Sequence, residues 1–366
     1  MYKKLFGYMI LCLYFLVLAV AITHGPLVSF QSLMLGVLGF IVITIGLSSL
    51  AKAIDLVDTP DSFRKDHTGR IPLIGGIVIF ISTVYGTFVF DVDPFYRFVI
   101  ISLIPILIVG TIDGIRRVGI PIPFRLIAQI LASWIVILFT DVYLRDLGNL
   151  FGQGTVYLNE FGIPFTIFAV VGMCNAFNML DGKDGLTGSV AVVIISSLLL
   201  LLYLNGIIYN WGLILILSLV VFLAFNLNVF GQHRKIFLGE HGSSSLGHLI
   251  AWNLVYLSQE TDFITPASAL WFVIFPLTDA IFTITRRIKL SQPITKADRR
   301  HLHYLLSDRG VSDQRILLVV IFTSILGATS AVVANLLSIQ DYYLFYGYLT
   351  IVVCLLLLGG IKSNLL

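Results

Sequence analysis

Long apolar runs, each about the length of a membrane-spanning helix, divide most of this 366-residue chain. A helix needs about 20 mostly apolar residues, within a range of about 17–25, to cross a bilayer. About twelve runs fit this length, near residues 5–23, 30–50, 71–90, 97–112, 124–140, 163–180, 187–205, 211–229, 244–258, 267–285, 314–336 and 342–361. The runs are continuous rather than alternating, which excludes a β-barrel. The sequence therefore predicts an all-α, polytopic integral membrane protein with about 11–12 transmembrane helices.

Composition and charge distribution agree with this class and indicate an orientation. Of the residues, 58% are hydrophobic and 12% are charged, whereas a soluble domain is about half apolar and about a quarter charged. With a cytoplasmic N-terminus, Arg97 and Arg145 are the only ones of the 23 lysines and arginines in the predicted outer loops. Basic residues accumulate on the cytoplasmic side of membrane proteins, so the polar inner loops are predicted to be cytoplasmic.

The first apolar run follows the basic start MYKK and could be mistaken for a signal peptide. It is long and shows no convincing small-residue cleavage site, so we expect a retained helix. Residues 1–28 are therefore predicted to be an additional N-terminal transmembrane helix, and residues 29–366 the main polytopic domain.

The inner loop after the run near 163–180 reads NAFNMLDGKDG, which is unusually polar for a membrane boundary. Asp181 and Asp184 are three residues apart and would share a face on a helical turn. Gly182 and Gly185 permit a tight backbone beside them. Two like charges this close repel unless a cation or a donor-rich ligand lies between them. The ordinary alternative is a solvated loop between two helices.

A second polar stretch, IFLGEHGSSSLGH, places Glu240 and three serines just before a predicted helix. Free N–H groups at a helix N-terminus suit a phosphate. A carboxylate here suits Mg²⁺, which favours oxygen ligands and shares its coordination with substrate phosphates. The ordinary alternative is N-capping of the helix by serine.

The longest inner loop contains ADRRHLHYLL, with two histidines and two arginines. His301 and His303 are too close to be successive positions on one helical face, but in an extended segment both could point at one ligand. Arg299 and Arg300 suit phosphate oxygens through their planar forks. An HxH pair without a clear third ligand is weak support for zinc. A basic run at the membrane surface is the alternative explanation.

Further candidates lie in the first two inner loops. Asp113 ends a span, and an acid at a membrane boundary is a functional candidate. Arg125 opens the next span near the same level, although it could simply extend to the interface. Arg64 and Lys65 belong to a basic loop that the orientation rule would also produce.

Each cluster has an ordinary explanation alone, but together they place acids, basic residues and histidines on one membrane face. A site that binds Mg²⁺ and a diphosphate is the simplest common explanation. Because such a site borders the bilayer, the sequence suggests transfer of a phosphoryl-linked group from a soluble nucleotide donor to a lipid phosphate.

The chain resembles the polyprenyl-phosphate N-acetylhexosamine-1-phosphate transferases of glycosyltransferase family 4. Within them it is most similar to bacterial undecaprenyl-phosphate N-acetylglucosamine-1-phosphate transferases. The matching pieces follow the family order between about Asp55 and Gly310 and read LVDTPDSFRKDHTGRIPLIGG, GTIDG, NAFNMLDGKDGL, IFLGEHGS, PLTDAIFTITRR and ADRRHLHYLL. The resemblance implies transfer of a sugar phosphate from a UDP-sugar to undecaprenyl phosphate, with release of UMP.

The resemblance also implies roles for matched residues. Asn178 and Glu240 would hold the metal against the donor diphosphate, and Asp184 would help read the uracil. Asp113 would act on the lipid phosphate. The expected catalytic residues are Asp113, Asp181, Asp184, His301 and His303, and the expected substrate-binding residues are Asn178, Asp184, Arg125, Arg64, Lys65 and Arg300.

Three positions depart from the family pattern. A second acid usually follows Asp113, where this chain has Gly114. The family usually has aspartate at Glu240 and a further histidine at Tyr304. Glutamate still binds Mg²⁺ but is one methylene longer, and Mg²⁺ tolerates little geometric error.

The expected cofactor is Mg²⁺, with Mn²⁺ left open. The expected partners are undecaprenyl phosphate, a UDP-N-acetylhexosamine and the lipid bilayer; no nucleic acid is expected, and a homodimer is left open. The expected location is the bacterial inner membrane, at the first membrane step of O-antigen, common-antigen, teichoic-acid or capsule synthesis. Two alternatives are a catalytically weak or inactive paralogue that acts as a scaffold and, less favoured, a secondary transporter, which would need broken helices near the midplane and an internal repeat.

Overall fold

The computed structural model describes residues 30–60, 69–90, 92–115, 119–208, 210–294 and 301–361. The predicted N-terminal helix, residues 1–28 with its run at 5–23, lies outside this part. The α-helices are α1 (Phe30–Ala53), α2 (Gly75–Val89), α3 (Pro94–Ile101), α4 (Leu103–Ile115), α5 (Ile122–Thr140), α6 (Gly162–Leu180), α7 (Leu186–Leu204), α8 (Asn210–Asn226), α9 (Gly239–Gln259), α10 (Pro266–Phe272), α11 (Ile274–Lys289), α12 (Leu302–Asp308), α13 (Asp313–Leu336) and α14 (Asp341–Ile361). Two short strands, β1 (Val57–Asp58) and β2 (Ile71–Pro72), pair antiparallel.

The prediction of an all-α, multi-pass membrane protein is confirmed. Within the described residues, six helices are long and apolar enough to cross a membrane, and a seventh if a bent pair counts as one span. Three shorter apolar helices accompany them, Gly75–Val89, Asn210–Asn226 and Asp341–Leu357.

Helix α9 is the centre of the bundle, although it is one of its most polar helices. Its sequence GEHGSSSLGHLIAWNLVYLSQ is buried at nearly every position. It packs against α2, α4 and α6, among others. Because these neighbours shield it from lipid, its serines, histidines and asparagine face protein rather than hydrocarbon.

Glycines bring three helices very close to α9. A Cβ at Gly76 of α2 would overlap the Cα atom of Gly242, and a Cβ at Gly110 of α4 would lie 2.6 Å from the Cβ atom of His241. A Cβ at Gly247 would lie 2.7 Å from the Cα atom of Cys174 in α6. Small residues permit such close approach in membrane bundles, and these contacts fix the inner half of α9.

The predicted single span near 267–285 is in fact two helices. Helices α10 and α11 meet at Val273 with a bend of 86°. Pro276 explains the break, because proline has no N–H to donate and its ring clashes with the carbonyl four residues earlier. Another run, predicted at 97–112, also contains a junction at Ser102 between α3 and α4 but counts as one span, Pro94–Ile115.

The loops separate into two ends of the bundle, as their alternation predicts. At one end, the Tyr256 hydroxyl donates to Asp93 (3.0 Å) and Arg145 pairs with Glu260 (2.7 Å). All four residues belong to predicted outer loops or span ends. At the other end, the β1–β2 hairpin joins the loop before α9 through a bridge between Leu73 and Phe237. The inner loops therefore form a connected layer.

Candidate active site

A cavity of about 1480 Å³ lies at the end of the bundle formed by the inner loops. All five inner loops contribute to its lining. The charged residues of the lining are Lys52, Asp55, Asp58, Arg70, Asp113, Arg125, Asp181, Lys183, Asp184, Lys235, Glu240 and Asp313. Loops far apart in sequence thus share one polar cavity.

Arg125 lies between two carboxylates where α4, α5 and α9 meet. Its Nη1 atom is 2.7 Å from Oε2 of Glu240, and its Nη2 atom is 3.5 Å from Oδ1 of Asp113. The guanidinium also donates to the carbonyl oxygen of Ile120. Burial raises the pKa of Glu240 to about 7; Arg125 opposes this shift, and the Asp113 carboxyl adds to it. Two acids and one guanidinium therefore form a compact site for phosphate or a cation.

Asn178, in the last turn of α6, is held by a polar network. Its Nδ2 atom donates to the Ser243 hydroxyl at 3.2 Å, so its amide oxygen is the group that can serve as a cation ligand. In the same network, Gln129 of α5 accepts from Asn175 at 2.8 Å and donates to Ser244 at 3.4 Å. These bonds join α5, α6 and α9 beside the cavity and keep Asn178 near the first turn of α9.

The serines that follow Glu240 do not cap α9. The N-cap position is Leu238, and no side chain accepts a capping hydrogen bond there. Ser243 instead donates to the main-chain carbonyls of Gly239 and Glu240. Gly239 and Glu240 line the cavity, so the helix N-terminus faces it. The alternative of ordinary serine capping is wrong for this helix.

The turn after α6 brings Asp181 and Asp184 to the cavity, as the sequence predicts. The Asp181 carboxylate interacts electrostatically with Asp184 and with Asp58 of β1. Lys235 offsets this negative charge, because its Nζ atom is 2.7 Å from Oδ2 of Asp184. The Lys235 side chain is only 9% exposed. Neither Asp58 nor Lys235 was singled out from the sequence.

Helix α12 and the start of α13 dock onto the same turn. Lys183 forms an ion pair with Asp313 and donates to the Ser307 hydroxyl at 3.1 Å. The Tyr304 hydroxyl donates to the carbonyl oxygen of Gly182 at 3.1 Å. A Cβ at Gly182 would lie 2.5 Å from that hydroxyl oxygen. Glycine at this position therefore allows the loop between the two aspartates to contact α12.

His301 and His303 are buried and are not among the residues that line the cavity. Their rings stack with centroids 5.5 Å apart. His301 Nδ1 is 3.3 Å from buried Asp279, which was not predicted as a site residue. Burial lowers the pKa of His303 to about 4, and both its ring nitrogens lack a hydrogen-bond partner among the described residues. A Cβ at Gly182 would lie 2.6 Å from His303 Nε2, so the histidines adjoin the cavity through this turn.

We expect Lys183→Asp to lower the unfolding temperature of the purified protein, because it places two carboxylates together. The exchange Lys183→Asp with Asp313→Lys is expected to restore most of the loss. Partly exposed ion pairs contribute about 0–1 kcal/mol, so the effect is small. Thermal unfolding in detergent tests this, with exposed Lys289→Asp as the control. A double variant no more stable than Lys183→Asp would contradict the pairing.

The comparison with known proteins identifies related proteins that match most of this chain. The profile of Glycosyl transferase family 4 matches residues 96–258. The undecaprenyl-phosphate alpha-N-acetylglucosaminyl 1-phosphate transferase of Yersinia pestis is 31% identical over 82% of this chain and 85% of its own length. The protein of the same name from Haemophilus influenzae is 31% identical over 85% of this chain and 88% of its own length. The one from Escherichia coli K12 is 30% identical over 78% of this chain and 78% of its own length.

The chain belongs to glycosyl transferase family 4. The resemblance seen in the ordered motifs is thereby confirmed, and it extends beyond them along most of the chain.

In this family 4 protein, neighbouring side chains fit Gly114, Glu240 and Tyr304, the three residues that the sequence comparison of motifs led us to expect as departures from the family pattern. A Cβ at Gly114 would lie 2.7 Å from Leu56 Cδ1 and 3.3 Å from Leu73 Cδ1, so a larger residue requires these leucines to move. Glu240 forms an ion pair with Arg125. The Tyr304 hydroxyl donates a hydrogen bond to Gly182, in the turn that carries Asp181 and Asp184. The three departures are therefore accommodated by the surrounding packing.

Several predicted site residues of this family 4 protein converge on the cavity, namely Asp113, Arg125, Asn178, Asp181, Asp184 and Glu240. Arg64, Lys65 and Arg300 lie outside the described residues. Four further residues of this region, Asp58, Lys235, Asn226 and Asp279, were not predicted from the sequence. Lys235 occupies the same inner loop as Glu240, but its pairing with Asp184 of another loop cannot be read from spacing.

Proposed function

We propose that this protein transfers N-acetylglucosamine 1-phosphate from UDP-N-acetylglucosamine to undecaprenyl phosphate and releases UMP. The observation that carries the proposal is the convergence of Arg125, Asp113, Glu240 and Asn178 on one cavity at the end of a membrane-spanning bundle. A soluble nucleotide sugar can reach such a cavity from water, and a lipid phosphate can reach it from the bilayer. The names of the relatives support the sugar and the acceptor.

In the proposed reaction, an oxygen of the lipid phosphate attacks the phosphorus that bears the sugar. A new P–O bond joins the two phosphates, and the bond from that phosphorus to the oxygen of UMP breaks, so UMP leaves with the electron pair. Phosphoryl transfer depends mainly on positioning and charge neutralisation. Arg125 can bind phosphate oxygens through its fork, and Asp113 beside it can orient the acceptor phosphate or accept its proton. Direct substrate contact by Asp181, His301 and His303 stays a prediction.

Mg²⁺, with Mn²⁺ as the alternative, is the metal that we propose for Asn178 and Glu240. When bound, the ion would neutralise charge on the diphosphate. The available donors are amide and carboxylate oxygens, which suit a hard cation. Within the described residues, no three His, Cys, Asp or Glu side chains form a metal-binding group. In proteins, Mg²⁺ is usually held by one or two carboxylates together with substrate phosphates.

We further propose that the protein resides in the bacterial inner membrane, with its N-terminus and cavity on the cytoplasmic side. The basic residues of the inner loops and the bacterial relatives support this placement. The product would be the first lipid-linked intermediate of a cell-surface polysaccharide. Homodimer formation stays a prediction that light scattering of the purified protein can test.

The proposal is tested with purified protein, undecaprenyl phosphate, Mg²⁺ and a panel of UDP-N-acetylhexosamines, following UMP release and the sugar-linked lipid. We expect release with UDP-N-acetylglucosamine that depends on both lipid and metal. Folded protein that binds a UDP-sugar but never forms the lipid product would overturn the proposal in favour of the scaffold. Transport of a labelled substrate into proteoliposomes, without new lipid, would favour the transporter.

Glu240→Asp is expected to retain or raise the transfer rate, because a carboxylate still faces the metal. Glu240→Ala is expected to lower it on the order of 100-fold, the loss typical of a removed electrostatic group. The measurement is initial UMP release across a Mg²⁺ titration, with Glu260→Ala at the opposite end of the bundle as the control. If Glu240→Ala matches the unmodified protein, the metal assignment is wrong.

A further inference from the structure

Asp184 and Lys235 form a partly buried ion pair between two different inner loops. The Lys235 side chain is 9% exposed and that of Asp184 is 22% exposed, with 2.7 Å between Nζ and Oδ2. The Lys235 ammonium also lies 5.0 Å from the centre of the Phe237 ring. Both charged groups line the cavity. Removing one partner of such a pair leaves a charge in a poorly solvated place.

A buried asparagine joins the two loops by hydrogen bonds beside this ion pair. Asn226 Oδ1 accepts from the N–H of Gly185 at 2.6 Å, and Asn226 Nδ2 donates to the carbonyl of Ile236 at 2.9 Å. Gly185 and Ile236 directly follow Asp184 and Lys235 in sequence. One side chain, 4% exposed, therefore fixes the backbone immediately after both members of the ion pair.

The charge of Lys235 matters because Asp184 has acidic neighbours. The carboxylate of Asp181 interacts with both Asp184 and Asp58. Like charges this close favour protonation or displacement of one of them unless a cation intervenes. Lys235 supplies that cation from within the protein and holds one oxygen of Asp184 at a defined point.

We propose that Lys235 is a positioning residue, which holds the Asp184 carboxylate in the orientation that contacts the nucleotide of the donor. This inference rests on the proposed function and on the nucleotide-binding role that the family resemblance implies for Asp184. It assigns to Lys235 no contact with the reacting atoms: its effect passes through Asp184. Loss of Lys235 should therefore impair nucleotide binding more than the chemical step.

The test compares Lys235→Met with Arg234→Met, which removes the same charge from the adjacent exposed residue. Binding of UDP is measured by calorimetry, and KM and kcat by UMP release. Lys235→Met is expected to weaken UDP binding and raise KM by at least about tenfold, equal to about 1.4 kcal/mol, with a smaller change in kcat. Arg234→Met is expected to change neither, and Lys235→Arg is expected to restore part of the affinity.

A second comparison separates positioning from general damage. In an Asp184→Asn background, Lys235→Met is expected to cause little further loss of UDP affinity, because the group it positions has already been altered. Equal losses in both backgrounds, or equal behaviour of Lys235→Met and Arg234→Met, would overturn the inference while the unmodified protein still makes the lipid product. Absence of product from the unmodified protein instead rejects the proposed function. Unfolding temperatures identify misfolded variants. If Lys235→Met does not fold, the UDP affinity of Lys235→Arg is measured in its place.

Discussion

Arg125→Met is expected to reduce the kcat of the proposed transfer by at least about 100-fold, the loss typical of a preorganised charge that faces developing negative charge. Arg125 lies 2.7 Å from Glu240 and 3.5 Å from Asp113. Without it, the two carboxylates face each other with no cation between them, and the phosphates lose a bidentate hydrogen-bond donor. Methionine keeps much of the apolar stem, so packing changes little. The measurement is UMP release at saturating substrates.

The matched control for this variant is Arg145→Met. Arg145 is also paired with a glutamate at 2.7 Å, but at the opposite end of the bundle and 42% exposed. Exposed pairs contribute about 0–1 kcal/mol, so this variant should fold and keep its activity. If both variants retain full kcat, Arg125 is not part of the reaction centre. If both lose it equally, the loss reflects general damage to the protein.

Gly76→Ala is expected to lower the unfolding temperature by several degrees and to impair transfer. A Cβ there would overlap the Cα atom of Gly242 and lie 2.6 Å from both its nitrogen and His241 Cδ2. Backbone atoms cannot rotate away, so α2 and α9 must separate, and overpacking of this kind costs about 1–3 kcal/mol. The shift also displaces the first turn of α9, which carries Glu240.

The control for this substitution is Gly172→Ala in α6, where a Cβ would meet nothing within 4 Å. Alanine is favoured over glycine in a helix by up to about 1 kcal/mol, so this variant should be as stable as the unmodified protein or more so. Thermal unfolding in detergent, followed by tryptophan fluorescence, gives both values. Equal stability of Gly76→Ala and Gly172→Ala would show that α2 and α9 tolerate a wider separation.

Much of the fold was predictable because a bilayer imposes simple rules on sequence. Apolar run length predicted the spans, and their alternation predicted which loops share an end. That alternation alone places Asp113, Asn178 and Glu240 at the end of the bundle where the cavity lies. The break at Val273 had a local signal in Pro276, since proline disrupts the preceding helical turn.

Other features could not be predicted, because they depend on how deeply a side chain packs. Alternation places His301 and His303 at the correct end of the bundle but does not reveal that both are buried and pack against Tyr304 rather than lining the cavity. The pairing of Lys235 with Asp184 requires knowing how two loops meet. Asp279 is buried in α11, where its contact with His301 and the hydrogen bond that it accepts from the N–H of Leu302 distinguish it from an isolated buried acid.

The polar character of α9 bears on how the chain enters the membrane during synthesis. Segments partition into the bilayer according to their apolarity, and α9 is not among the helices apolar enough to cross alone. The helices that contact it through Gly76, Gly110 and Cys174 all precede it in the chain. They are therefore already made when α9 emerges from the ribosome. We therefore expect its insertion to depend on docking against them, so that the site-bearing helix enters the bundle late and cooperatively.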